Sequence, residues 1–384
     1  MTGRLVVHFG PRAVGDLRQR VDDSLEFAYR ADWLGDPTTF PISLSLPLRP
    51  QPFDDATTRA WFEGFLPLAV GQEFAGSLSL HPPDEPPDER ADDAPLRPLG
   101  DGELVALLRD PDRSPGHVRP LLAVVEHPHG LALPTARSAS THFVKVPDPA
   151  VEANAANEFF ALELAAAVGI DAPKADLRQI DGLPFLLIER FDRRRNRDGT
   201  VRRLLREDVA QALGIARAAV HERDGGPGFA AMFGLLSAHS ARGALDRLAL
   251  LQRTLFSFLL GHANAHAQNT ALVRDGAAMR LGPAFAMKCA LVHGERAARL
   301  AMRIEDCDGF DDVTAGHWAR FAATVGLAPP AVKQRLCELA ATLPERARWL
   351  VERDRRLFAV PKLHRVVELL TSRCRRVLDS SGRR

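Results

Sequence analysis

Leu260-Gly-His-Ala-Asn-Ala-His-Ala-Gln-Asn-Thr270 is the stretch on which the reading of this chain turns. The apolar run Leu248 to Leu260 ahead of it predicts a helix, and Ala271-Leu272-Val273 behind it predicts a strand. A helix that breaks into small and amide residues around His266 and Asn269 looks like a catalytic loop. The position where a carboxylate base would be wanted is Asn264, a neutral amide.

The chain has 384 residues, long for one core, so two or more subdomains are expected. Its 46% hydrophobic fraction is ample for a packed interior. A formal charge of +1 gives no global electrostatic case for nucleic acid or a membrane, so such a partner would need a local patch. Cys289, Cys307, Cys337 and Cys374 are widely spaced and form no C-x-x-C pair. There is no N-terminal signal sequence and no 18-residue apolar run. The expectation is a cytoplasmic protein with free thiols, without structural zinc. No cysteine has an obvious His or Asn partner to activate it as a nucleophile.

Outward from the loop, the N-terminus predicts a small antiparallel sheet from Leu5–Phe9, Ala13–Leu17 and Leu25–Tyr29. Pro41–Leu48 alternates at period two between prolines, which predicts a strand or extended edge. Ala60–Leu66 predicts a short helix stopped by Pro67. The Pro- and acid-rich stretch from Pro82 to Pro98 predicts a solvated linker, and Asp101 to Leu108 a helix capped by Asp101. Strands follow at Leu121–Val125, His142–Val146 and Leu183–Phe191, with an amphipathic helix Ala155–Val168 ended by Gly169. From Glu207 to Leu378 the pattern is mostly helical, strongest at Pro344–Phe358 and Leu363–Leu378. The predicted class is α+β and bilobal. A β-rich subdomain at 1–81, a linker at 82–100 and a β-rich region at 101–206 lead into a helical lobe at 207–384. The last forty residues hold twelve Lys or Arg against five acids, which reads as a solvated helix face or a partner surface.

Nine segments in order together resemble the HipA family, the serine/threonine protein-kinase toxins of bacterial toxin–antitoxin operons. They are Ser43-Leu-Ser-Leu-Pro-Leu48, Trp61-Phe-Glu-Gly-Phe-Leu-Pro67, Thr141-His-Phe-Val-Lys-Val-Pro147, Asn157-Glu-Phe-Phe160, Ile188-Glu-Arg-Phe-Asp-Arg193, Glu207-Asp208, Asp224-Gly-Gly-Pro-Gly228, His266 to Asn269, and Leu300-Ala-Met-Arg-Ile304. The resemblance implies a kinase-like fold using ATP and Mg²⁺. Lys145 would pair with nucleotide phosphates and Glu158 would hold it. Glu189, Phe191 and Asp192 would form the hinge that receives adenine. His266 would be the catalytic-loop His and Asn269 a metal ligand.

Against that pattern the departures carry the functional reading. The family's Asp-Gly-His-Ala-Lys-Asn loop is here Asn264-Ala-His-Ala-Gln-Asn269, so the base position holds an amide. Gly282-Pro-Ala-Phe-Ala286 stands where the family ends on a metal-binding Asp, leaving Ala286. The phosphate-covering Ala-Gly-Ala-Gln-x-Lys loop is replaced by Glu126-His-Pro-His-Gly130, and Leu68–Phe74 is too short for a helix the family has there. Base, metal ligand and phosphate loop missing together imply a pseudokinase that acts by binding an antitoxin-like DNA-binding protein or a kinase paralogue. Two alternatives stay open. One is an active kinase that recruits Glu305, Asp306 or Asp308. The other is a non-catalytic corepressor bound to a DNA-binding antitoxin, touching DNA only indirectly. His127 and His129 could be a metal pair but lack a third ligand.

Overall fold

The computed structural model describes residues 3–63, 76–85, 87, 96–109, 121–134, 139–146, 148, 151–219, 221–294 and 299–382. Gly64–Pro67 of the Trp61 motif, the Leu68–Phe74 segment, Pro147 and much of the Pro- and acid-rich stretch lie outside these residues. The chain forms two compact units, each assembled from non-consecutive segments. One holds Met1–Val146, Arg178–Ala218 and Leu272–Met279; the other holds Pro147–Leu177, Ala219–Ala271 and Arg280–Arg384.

In the first unit, Leu25–Tyr29, Arg12–Gln19, Arg4–Phe9 and Leu78–His81 make an antiparallel sheet in that order. Alternation at period two puts Val7, Leu17 and Phe27 on one face, and Val14, the extra residue at a bulge in the Arg4–Phe9 ladder, joins them. There they meet Trp33, Phe53, Trp61 and Phe62, the last two from the helix Asp55–Phe62. The Asp54 side chain caps that helix by accepting from Thr57 N at 2.9 Å. Pro41–Leu48 is not a strand. It folds back in a turn with Leu46 N donating to Ser43 O, which sends both Ile42 and Leu46 into the core. Flanking prolines deny it ladder bonds, and the Tyr29 hydroxyl serves it instead, donating to Leu46 O at 2.6 Å and accepting from Ile42 N at 3.0 Å.

A second sheet runs Arg97–Pro98, Gly130–Leu133, Leu121–His127, His142–Lys145 and Leu183–Glu189, with the edge strand Ala175–Ile180, along which the chain re-enters the unit. Its apolar face, including Leu122, Val124, Val144, Phe185 and Leu187, packs on Leu104, Leu107 and Leu108 of the helix Asp101–Arg109. Asp101 is not that helix's cap. It takes the first helical position, and Leu104 N bonds to Gly100 O at 2.9 Å.

The second unit is mainly helical. Asn154–Ala167 is buried almost all round rather than amphipathic, and it closes with Gly169 at φ +78°. Phe229–His239, Gly243–Leu260 and Ala315–Thr324 follow. Pro344 does not open a helix but lies inside Pro329–Arg353. An interior proline costs about 3 kcal/mol. Burial of Val332, Leu336, Leu339, Leu343 and Val351 along one face offsets it. The break falls at Asp354, whose carboxylate accepts from Arg356 N before the final helix Pro361–Ser380. No helix among the described residues is long and apolar enough to cross a membrane.

Candidate functional site

In the second unit, Gly243–Leu260 ends at Gly261, which adopts a left-handed conformation at φ +79°. A Cβ there would lie 2.8 Å from Leu291 Cδ1 and 3.3 Å from Arg373 Nη1, so both φ and space demand glycine. Arg373, only 4% exposed, donates to Phe258 O at 3.4 Å and sets positive charge against the helix C-terminus. Buried His262 then bonds through Nδ1 to Lys288 O at 3.1 Å.

The loop that follows is closed on itself. Asn264 is exposed, and its carbonyl accepts from His266 N at 3.0 Å and from Asn269 Nδ2 at 2.8 Å. The same amide lies 3.3 Å from His266 Nε2. An amide N–H can only donate, so Nε2 accepts and the neutral ring carries its proton on Nδ1. That Nδ1 has no partner within the protein. Burial first, and then neighbouring His221, pull His266 down to about 4, so it is neutral at pH 7. The two rings meet edge-on, 5.7 Å apart, with His221 Nδ1 held 3.2 Å from Asp224 Oδ2. Asp224 begins the Asp-Gly-Gly-Pro-Gly segment, where Gly225 takes φ +89° and a Cβ on Gly226 would fall 2.7 Å from Ala219 O.

After the strand Ala278–Leu281, Ala286 sits in the left-handed region at φ +54° with no carboxylate to offer. Sequence reasoning missed Asn157. Its amide donates to Cys289 O and accepts from Cys289 N, both at 2.9 Å, binding the segment after Ala286 to the helix Asn154–Ala167. Lys288 Nζ reaches Asn154 Oδ1 at 3.0 Å. The signal was present, because an Asn on the buried face of a helix needs a backbone partner. Glu158 does not open this helix. It lies in the second turn, 2% exposed, because Asn154 to Asn157 extend the helix upstream.

The remaining sequence-derived positions lie in the first unit. Lys145 ends a central strand and pairs in register with Leu121 and Leu186. Glu189 ends the adjacent strand opposite His142. Asp192 is 1% exposed and gripped on both oxygens by Arg190, at 2.9 and 2.8 Å. It also accepts from Gly76 N at 2.6 Å, and Arg193 lies 3.4 Å away. Although burial opposes it, the guanidinium groups of Arg190 and Arg193 hold its carboxyl far below the usual range. Arg190 also bonds Ser140 and stacks 4.2 Å over Phe143, while Arg206 covers Phe191 at 4.8 Å. Glu126–Gly130 is a tight hairpin in which His127 pairs with Gly130.

The residues present do not fit a kinase Mg²⁺ site. Asn269 directs its amide into its own loop, position 286 is alanine, and no group of three or more His, Cys, Asp or Glu among the described residues could hold a metal. Glu305 and Asp306 form the turn of the hairpin Arg299–Ile304 to Cys307–Gly309. Asp306 is paired with Arg320 at 2.8 Å and Asp308 with Arg299 at 2.9 Å.

Comparison with known proteins shows the family. The HipA-like C-terminal domain matches residues 114–347 and the HipA N-terminal domain matches residues 5–80. A Sinorhizobium fredii protein named "Putative kinase Y4mE" is 32% identical, over 92% of this chain and 93% of its own length. The serine/threonine-protein kinase toxin HipA of Shewanella oneidensis is 24% identical over 89% and 88%. The solved structure of Shewanella oneidensis HipA with HipB and operator DNA superposes with a TM-score of 0.82 at 22% identity, covering 98% of both chains. With family domains matched over most of its length, this chain belongs to the HipA family of toxin–antitoxin kinases.

Proposed function

We propose that this HipA-family chain acts by binding a protein partner and does not turn over phosphoryl transfer. The carrying observation is the loop itself. The Asn269 amide is spent on the Asn264 backbone carbonyl and lies 3.3 Å from His266 Nε2, position 264 holds an amide, and Ala286 brings no carboxylate. An amide cannot take the proton of an attacking hydroxyl, a loss that typically costs 10²- to 10⁴-fold. A missing metal carboxylate removes the principal neutraliser of phosphate charge. The two penalties are not additive, but together they leave neither half of the chemistry in place. In the acidic turn Glu305–Asp308, Asp306 and Asp308 are engaged with Arg320 and Arg299.

The partner class we propose is an antitoxin-like DNA-binding protein, with a kinase paralogue as the other candidate. Support comes from the Shewanella oneidensis relative, whose solved complex contains HipB and operator DNA. DNA contact would be indirect. The net charge is +1, and part of the C-terminal basic charge is paired, as in Arg356 with Asp354 and Asp176, Arg365 with Glu368, and Arg376 with Asp311.

Lys145, Glu158, Glu189, Phe191 and Asp192 are the positions the family resemblance would give to nucleotide, and Asp192 is already taken up by Arg190. A thermal-shift titration with ATP, with and without Mg²⁺ and with a Lys145→Ala control, tests the reading. Ligand at about 100 Kd adds roughly 2.7 kcal/mol of apparent stability. The expected result is no Mg²⁺-dependent shift at millimolar ATP and no phosphate transfer to protein. A Mg²⁺-dependent shift lost in Lys145→Ala, accompanied by phosphate transfer, would instead establish a kinase of altered mechanism.

A further inference from the structure

Residues 193–203, in the first unit, hold six arginines and one acid, Asp198: a local excess of five positive charges in a chain whose net charge is +1. They form an antiparallel ribbon of two strands, Arg193–Arg195 and Val201–Arg203, that pairs with no third strand among the described residues. Arg193 stands opposite Arg203, and Arg194 opposite Arg202. Directly opposed like charges destabilise a ladder, so these pairs weaken the ribbon unless an anion joins them. At the root, Arg193 pairs with Asp192 and donates to the carbonyl oxygens of Ser140 and Gly76 at 3.1 and 2.9 Å. Midway, Arg194 and Arg202 meet on the two oxygens of one carboxylate, Asp275, at 2.5 and 2.6 Å.

The tip has no such anion. Its one acid is spent on the turn: Asp198 Oδ1 accepts from Thr200 N and Thr200 Oγ1 at 3.0 and 2.7 Å. Asn196 N donates to Thr200 O at 2.8 Å, and Gly199 at φ +89° completes a fixed turn. Arg195 and Arg197 are exposed there, and no carboxylate among the described residues forms an ion pair with either. We propose that this tip is the docking surface for an acidic segment of a protein partner, whose carboxylates Arg195 and Arg197 take as Arg194 and Arg202 take Asp275. Guanidinium forks match carboxylates, and the anion already seated on the ribbon is one. A nucleic-acid strand would meet the same charge, but no aromatic side chain lies between Arg193 and Arg203 for a base to stack on. This surface adds a chemistry to the partner-binding reading above and rests on it, yet phosphate transfer by the chain would overturn that reading without changing the ribbon's affinity.

The test is fluorescence anisotropy of labelled deca-glutamate with the full-length protein at about 50 mM and about 300 mM salt, beside a labelled random-sequence DNA duplex. Saturable, salt-sensitive binding of the peptide is expected, weakened at least tenfold in Arg195→Gln/Arg197→Gln. It should be unchanged in Arg346→Gln/Arg348→Gln, which removes two exposed charges from the helix Pro329–Arg353. In the wild-type protein, deca-glutamate should protect Arg195 and Arg197 from phenylglyoxal more than Arg346 and Arg348, a readout that stands even if the ribbon variant fails to fold. No saturable binding, equal loss in both double variants, or protection without preference for the ribbon overturns the proposal. Tighter binding of the duplex than of the peptide, lost in the ribbon variant, makes nucleic acid the occupant and overturns it equally.

Discussion

Two motif-bearing segments, Ile188–Arg193 and Asn264–Asn269, direct their polar groups to different ends. In the first, Asp192 is buried and meets Arg190 through both oxygens. In the second, the positions that would carry chemistry hold neutral amides, Asn264 exposed and Asn269 bonded back onto the loop. A buried charge embedded in a network cannot be removed without stranding its partners, whereas an exposed one can be exchanged at little cost to the fold. Of these two segments, the one that holds a carboxylate is the one whose network encloses it.

The sharpest test of that contrast is Asp192→Ala. It removes the carboxylate that both arms of Arg190 grip and should cost about 3–5 kcal/mol in urea unfolding. A loss below about 1 kcal/mol would sink the idea that this segment is structural. Next comes Asn157→Ala, which strips the Cys289 backbone of a donor and an acceptor. A cost of about 2–4 kcal/mol is expected from the unfolding midpoint.

Glu207 asks whether poor compensation, rather than burial alone, sets the balance. Buried beside Ser43 Oγ at 2.5 Å, it is pushed from 4.5 up to about 7. A raised folded-state value means stability is fully present below pH ~4.5 and lost as pH rises through ~7, by up to about 3 kcal/mol. Glu207→Gln should flatten most of that slope, leaving the same-signed contribution of Asp208, raised to about 6. A mutant with the wild-type pH profile would refute the assignment. Smaller still, Ala286→Gly should gain about 0.5–1 kcal/mol by relieving a left-handed alanine, detectable as a higher Tm. Asn264→Ala closes the series. With its side chain exposed, unfolding should change by less than about 0.5 kcal/mol, and a larger loss would make this amide structural after all.

Much of the architecture was legible because period-two alternation at Leu5–Phe9 and Leu25–Tyr29 has one physical solution, a half-buried strand. The same alternation misled at Pro41–Leu48, where a distant tyrosine hydroxyl supplies the hydrogen bonds a neighbouring strand would otherwise give. Pro344 misled as a boundary because local propensity says nothing of the apolar face that carries the helix through it. At the loop, residue types revealed which groups were missing. They could not reveal that the Asn269 amide turns back to the Asn264 carbonyl, a matter of backbone path rather than composition. Asn157 stayed hidden for a related reason, since its partner lies 132 residues away.

Gly261 fixes where the helix stops, and neither Asn264 nor Ala286 takes part in doing so. The register of the loop is thus inherited from a turn that has no stake in the chemistry. In evolutionary terms the loop is a socket: reactive groups can be withdrawn from it, or returned by replacing one codon at each of the two positions, without the surrounding architecture having to be rediscovered.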